Sequence, residues 1–339
     1  MKILIIRFSS LGDLIKTTAL IERICHEADN FEIHFVTKID FASLFTEDSR
    51  LSRLLILDKK AKKATRMKNW IRANTNDLIE QIKDTQYDLV IDAHNTIRSR
   101  YYCWKLRSCY KKLIRFKKSR LRKLLLFLFR IPAPAYFLDK RLFGLLDPLF
   151  GTSQKTYLPK LVIADDKIRD DLEKKHRPNW NSTIAIIPGA AWKNKELKHD
   201  FWKNFIQSIP DSYQIALIGG EDKREKFDIK NSRVTNYMGK LDLTQSIVFA
   251  STCFKAIGVD TGVSHAVEAL GEDVALILGP TGLETGAYPS RPNSQIFERE
   301  LFCRPCSKNG SSPCIWGLGQ LKCLQFQPST VAKQFLEDD

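Results

Sequence analysis

MKILIIRFSSLGDLIKTTALIERI (residues 1–24) changes its hydrophobic period partway along. Met1 to Phe8 is an apolar run interrupted only by Lys2 and Arg7, the pattern of a strand buried on both faces. From Leu14 to Cys25 the apolar residues recur at helical spacing. A buried strand, a tight turn and an amphipathic helix form the first half of a βαβ unit, so the sheet is parallel. The turn Ser9-Ser10-Leu11-Gly12-Asp13 falls where an open parallel sheet places its ligands. A dinucleotide site needs G-x-G-x-x-G there, to bring bare backbone to a pyrophosphate. This turn has one glycine, and a carboxylate that repels phosphate. Asp13 therefore either caps the helix expected from Leu14 or does chemistry of its own.

The same alternation continues outward. FEIHFVTK (31–38), RLLILD (53–58) and YDLVIDAH (87–94) read as strands, and Trp70 to Asp84 as a helix between them. A further strand is expected at Lys112 to Phe116. Residues 151–182 are polar and proline-containing, a linker with a charged helix at about 165–176. A second series follows: TIAIIPGA (183–190), YQIALIGG (213–220), KAIGVD (255–260) and DVALILGP (273–280), with helices centred near 205, 226, 247 and 267. At 339 residues the chain exceeds one ordinary core, and two Rossmann-like domains are expected. Hydrophobic content of 43% is that of a globular protein. No signal peptide is recognisable, and no apolar run approaches the roughly 20 residues that span a bilayer. Eight cysteines in so long a chain do not make a disulfide scaffold. A cytoplasmic location is expected.

The second series carries phosphate chemistry. GVDTGVSHAVEALG (258–271) is a strand end, a turn and a helix start. Backbone N–H groups at a helix N-terminus attract anions. Gly262 permits close approach, Thr261 and Ser264 add hydroxyls, and Asp260 suits sugar hydroxyls; an ordinary N-cap turn is the competing reading. In PGAAWKNKE (188–196), Lys193 and Lys195 follow a strand, where a lysine neutralises a diphosphate leaving group as a point charge. In IGGEDKR (218–224), Glu221 suits a ribose or a base edge.

RFSSLGDLIKTTAL, PGAAWKNK, IGGE, GVDTGVSH and the GPTG turn, in this order, resemble the ADP-heptose-dependent heptosyltransferases of lipopolysaccharide core assembly, glycosyltransferase family 9. The resemblance spans nearly the whole chain. It implies a GT-B fold, two Rossmann-like domains facing across a cleft: 1–160 for the acceptor, 161–325 for the nucleotide sugar, and a C-terminal helix in 326–339, at Thr330 to Leu336, returning toward the first domain. It implies inverting, metal-independent transfer of heptose from ADP-L-glycero-β-D-manno-heptose to a Kdo or heptose residue of the inner core. No cofactor is expected for catalysis. By position, Asp13 is the base that deprotonates the acceptor hydroxyl. Lys195 is implied at the nucleotide phosphates and Asp260 at the heptose hydroxyls. Thr261, Gly262 and His265 are implied at the diphosphate, Glu221 at the ribose and Met238 near the adenine. The family usually follows the lysine with an aromatic and a proline, whereas Glu196-Leu197-Lys198 stand here, so the register of Lys193 and Lys195 stays open. A relative using another nucleotide sugar or acceptor fits the same motifs.

Net charge of +15 points to a polyanionic partner. Between Arg98 and Arg130 there are 13 Lys or Arg and no Asp or Glu, mixed with aromatics. Nucleic-acid binding would use such a stretch. It is not expected here, because charge alone leaves the Asp13 turn and GVDTGVSH unexplained. Given a phosphorylated glycolipid acceptor (lipid A-Kdo or core), the segment reads as a docking surface on anionic membrane. Arg98, Arg100, Lys117, Lys118 and Arg120 supply charge, Leu124 to Phe129 supplies apolar contact, and the protein is peripheral on the inner face of the cytoplasmic membrane. In CRPCSKNGSSPCIWGLGQLKC (303–323), Cys303, Cys306, Cys314 and Cys323 have the makings of a structural zinc or iron tetrathiolate; reduced thiols packing a loop is the alternative.

Overall fold

The computed structural model describes residues 1–57, 78–315 and 318–337. Two parallel sheets organise it. The first has the order β3-β2-β1-β4-β5, with β1 Lys2–Ile6, β2 Glu32–Lys38, β3 Arg53–Leu57, β4 Tyr87–Asp92 and β5 Tyr110–Arg115. The second has the order β11-β10-β9-β6-β7-β8, with β6 Thr183–Ile187, β7 Gln214–Leu217, β8 Val234–Asn236, β9 Lys255–Val259, β10 Ala275–Ile277 and β11 Ile296–Phe297. Every recorded strand pair is parallel. Both sheets are doubly wound: strand order reverses between β1 and β4 in one, and between β6 and β9 in the other. Those reversals open crevices at the carboxyl ends of the strands.

The chain divides into two units, residues 1–119 with 138–163, and residues 120–137 with 164–339. In the first, Leu4, Ile6, Val36 and Val90 of the sheet pack with Tyr102 and Leu106. Helix Leu11–Glu27 lies against this sheet with Leu14, Ile15, Leu20, Ile21 and Ile24 buried. Arg23, on the same helix, is fully buried. It donates to the Phe143 carbonyl (2.9 Å), the Gly151 carbonyl (2.6 Å) and the Asp147 carboxylate (2.5 Å), so one guanidinium anchors the segment 138–151. In the second unit Trp202, Phe205 and Ile206 of helix His199–Ser208 pack on Ile184, Ile186 and Leu217.

Several expectations need correction. The first helix starts at Leu11 rather than Leu14, with Ser10 as its N-cap, so Asp13 lies inside the first turn and is not the cap. Near residue 226 there is only the short 3-10 turn Glu221–Lys223 in place of a helix. The basic segment is split: residues 98–119 belong to the first unit and helix Arg120–Leu128 to the second. The last helix, Pro328–Glu337, belongs to the second unit. Its Val331, Ala332 and Phe335 complete the second core, with the Phe335 ring 6.0 Å from Phe205, because its apolar stripe has that core to cover. Most of the helix expected at Trp70 to Asp84 lies outside the described residues; 78–82 are helical. Among the described residues no helix is long and apolar enough to cross a membrane.

Candidate active site

The residues singled out at the second crevice are brought together by strand order. β6 ends at Ile187 and leads into the loop carrying Lys195; β9 ends at Val259 and leads into Asp260. Gly258 makes this junction tight. A Cβ there would come within 2.7 Å of both the Ile187 Cβ and its carbonyl oxygen. Lys195 donates to an Asp260 carboxylate oxygen at 2.5 Å and to its backbone carbonyl at 3.1 Å. The Thr281 hydroxyl donates to that same carboxylate oxygen at 2.9 Å, and the His265 Nε2 faces the other oxygen at 3.3 Å. Asp260 is thus buried with both oxygens engaged by protein. Burial disfavours its charge, but Lys195 and His265 outweigh that and hold its carboxyl well below the ordinary carboxylate range.

Helix Gly262–Ala269 begins beside this cluster, and its N-cap Thr261 forms no side-chain capping bond. Ser264 turns inward and donates to the Val259 carbonyl at 3.1 Å, so its hydroxyl is not at the turn surface. The amide groups of the first helical turn lack intrahelical acceptors, which leaves Thr261 and Gly262 at an anion-attracting end. Of the two candidate lysines, Lys195 is the one that turns to Asp260, while Lys193 is exposed.

Glu196 is fully enclosed. One of its oxygens accepts from the Ala190 amide at 2.9 Å and pairs with Lys223 at 3.0 Å; the other pairs with Lys226 at 2.5 Å. Burial opposes its ionisation, yet Lys226, the Ala190 amide and Lys223 together keep its carboxyl below the ordinary range. The departure from the family motif at Glu196 therefore has a structural role: it ties the loop after β6 to the loop after β7. That second loop leaves Glu221 exposed at the carboxyl edge. Met238 is fully buried, and a Cβ on Gly219 would lie 3.3 Å from its methyl group. Its thioether packs in the second core beside that glycine.

In the first unit, Asp13 is the third residue of its helix, with 34% of its side chain exposed. Its carboxylate pairs with the Arg7 guanidinium and accepts from the Ser10 hydroxyl at 3.2 Å. Arg7 is itself buried and donates to the Ala93 carbonyl at 2.5 Å, so it joins the end of β1 to the end of β4. Nearby His94 is neutral: burial, then Arg7 and Lys118, push its pKa down to about 3. Sequence reasoning missed Arg7, Thr281, Glu196 and Glu268. Arg7 is the one charge near the end of an apolar strand, a position that calls for a buried partner. Glu268 follows His265 by three residues, the spacing of neighbours on one helix face.

Arg100 is exposed and donates to Asn95 at 2.8 Å; Lys117 is exposed and Arg98 and Lys118 are half-buried. The side chain of Arg120 lies outside the described residues. Cys303, Cys306, Cys314 and Cys323 line one cavity of about 220 Å³ together with Leu301 and Phe302. Among the described residues, however, no three His, Cys, Asp or Glu side chains are placed to hold a metal. Burial pushes the Cys323 thiol up to about 11 and raises that of Cys306, as expected for packed thiols in an apolar lining.

Comparison with known proteins agrees with the sequence motifs. A family model described as glycosyltransferase family 9 (heptosyltransferase) matches residues 75–314. Lipopolysaccharide heptosyltransferase 1 of Pseudomonas aeruginosa is 22% identical, over 91% of this chain and 86% of its own. Its namesake from Campylobacter coli is 24% identical, over 93% of this chain and 94% of its own. The structure of the E. coli heptosyltransferase WaaC with ADP superposes with a TM-score of 0.71, covering 100% of both chains at 18% identity.

Proposed function

Given that the chain belongs to glycosyltransferase family 9, the heptosyltransferases, and has the GT-B fold, we propose that it transfers heptose from ADP-L-glycero-β-D-manno-heptose to a Kdo or heptose residue of the lipopolysaccharide inner core, with inversion. The observation that carries this reading is the separation of two kinds of chemistry. A cation-bearing turn at a helix N-terminus belongs to one unit, and a partly exposed carboxylate to the other.

In this reading residues 161–325 hold the nucleotide sugar and residues 1–160 the acceptor. The diphosphate takes the amides of Thr261 and Gly262 with Lys195 and His265 beside it, and Lys193 meets it from solvent. Glu221 meets the ribose. Asp260 fixes Lys195 and shares its carboxylate edge with a heptose hydroxyl. The acceptor hydroxyl oxygen attacks the anomeric carbon, the bond from that carbon to the phosphate oxygen breaks, and ADP leaves with the electron pair. Asp13 takes the hydroxyl proton. Arg7 keeps that carboxylate aimed until the transfer. The developing negative charge on ADP is met by cations already in place, which is electrostatic preorganisation.

The reading extends to the membrane. Leu121, Leu124, Leu128, Phe129 and Ile131 are exposed next to Arg122, Lys123 and Arg130, an apolar and basic pairing that suits an anionic lipid face carrying the acceptor. Arg98, Arg100, Lys117, Lys118 and Arg120 add charge, and a location on the inner face of the cytoplasmic membrane follows.

The test is to incubate the protein with ADP-heptose and a lipid A-Kdo acceptor carried in vesicles. Mass spectrometry should find acceptor heavier by one heptosyl residue, faster in anionic than in neutral vesicles, and NMR should find an inverted anomeric centre. No mass gain with Kdo or heptosylated acceptors overturns the assignment. Equal rates in both vesicle types overturn the membrane part alone.

A further inference from the structure

His265 stands between two carboxylates. Its Nε2 is 3.3 Å from an Asp260 oxygen and its Nδ1 is 3.4 Å from an oxygen of Glu268. The other Glu268 oxygen accepts three hydrogen bonds: from the Ser290 amide at 2.8 Å, the Arg291 amide at 3.1 Å and the Ser294 hydroxyl at 3.0 Å. An oxygen with three donors is a carboxylate oxygen, since such bonds favour the charged form. Asp260 is ionised as well, through Lys195 and Thr281. Ionised carboxylates only accept, so each ring nitrogen has to donate. A neutral imidazole would set one nitrogen lone pair against an oxygen lone pair in a buried place.

We propose that Glu268 is a positioning residue that keeps His265 doubly protonated, so that the diphosphate meets an imidazolium as well as Lys195. This rests on the reading of the turn as the diphosphate site. The charges then balance: two cations, Lys195 and His265, against two carboxylates, Asp260 and Glu268. Arg291 contributes only its amide, because its guanidinium is turned to Asp273 at 2.9 Å. Without Glu268 only Asp260 is left to hold the second proton, so the ring loses its charge at a lower pH than in the wild type.

Calorimetric titration of ADP between pH 5.5 and 8.5 tests this with the wild type and Glu268→Gln. Wild-type affinity should change less than about threefold between pH 6 and 8. The variant should match it at pH 5.5 and bind about tenfold more weakly by pH 8. Parallel profiles overturn the proposal. If the variant fails to fold, NMR of the wild-type imidazole decides, with His265→Asn identifying the signal: a ring protonated to pH 8 supports the proposal, and a midpoint near 6.5 overturns it. Wild type that binds no ADP at all removes the nucleotide-site reading instead, while the NMR result still speaks to the charge of the ring.

Discussion

Lys195 has two duties. It compensates Asp260 in a buried place, and in the proposed reaction it faces the diphosphate. Removing one partner of a buried pair costs about 3–5 kcal/mol, because the other charge is left without compensation. His265 and Thr281 stay in contact with Asp260, so Lys195→Ala is expected near the lower end. The same variant should bind ADP at least tenfold more weakly by calorimetry; unchanged affinity would remove lysine from the phosphate role. Much of this cluster was legible in the sequence, because Asp260, Thr261, Gly262 and His265 lie within six residues of one another. Thr281 and Glu196 were harder to read. Their roles depend on which loops the strand order brings together.

Among elements, the β6–β9 junction sets the geometry of the Lys195–Asp260 cluster. Ile187 is paired with Gly258 across it, and the Ser264 hydroxyl would lie 3.1 Å from a Cβ at residue 258. Overfilling such a contact costs about 1–3 kcal/mol. Gly258→Ala should therefore lower the thermal midpoint by about 3–10 °C and weaken ADP binding, since the strands leading to Lys195 and Asp260 are pushed apart. An unchanged midpoint would mean that the junction has slack. The long apolar strands were visible from their β-branched runs. β8 and β11 were not: Val234–Asn236 and Ile296–Phe297 are too short to show a period, and neighbouring strands create them. Helix Leu11–Glu27 begins three residues early for a related reason. Ser10, in extended backbone, accepts the Leu14 amide at 2.9 Å, which brings Leu11, Gly12 and Asp13 into the first turn.

Across the whole molecule, buried carboxylate pairs of the second unit should make stability sensitive to acid. Asp260 and Glu196 both have folded-state pKa values lowered from the ordinary range. The unfolded chain therefore binds more protons than the folded one as pH falls. Their contribution is complete above the unfolded values of about 4, and it is lost as pH drops below them. Melting midpoints should be level from pH 5 to 7 and decline below about pH 4. A profile flat to pH 3 would show that these pairs do not stabilise the fold. The division of the basic segment between the units, with Arg98 to Ser119 in one and Arg120–Leu128 in the other, could not be read from its even charge. Apolar anchors decide it: Tyr102, Cys103 and Leu106 enter the first core.

The division of labour between the units is open to one paired measurement on Asp13→Asn, namely turnover with ADP-heptose and acceptor, and affinity for ADP. The substitution keeps the shape and removes the base. Turnover should fall by at least a hundredfold, within the range of about 10²–10⁴ that a general base contributes, while ADP affinity stays within twofold of wild type. Near-normal turnover in that variant, or ADP affinity lost along with turnover, would contradict the account.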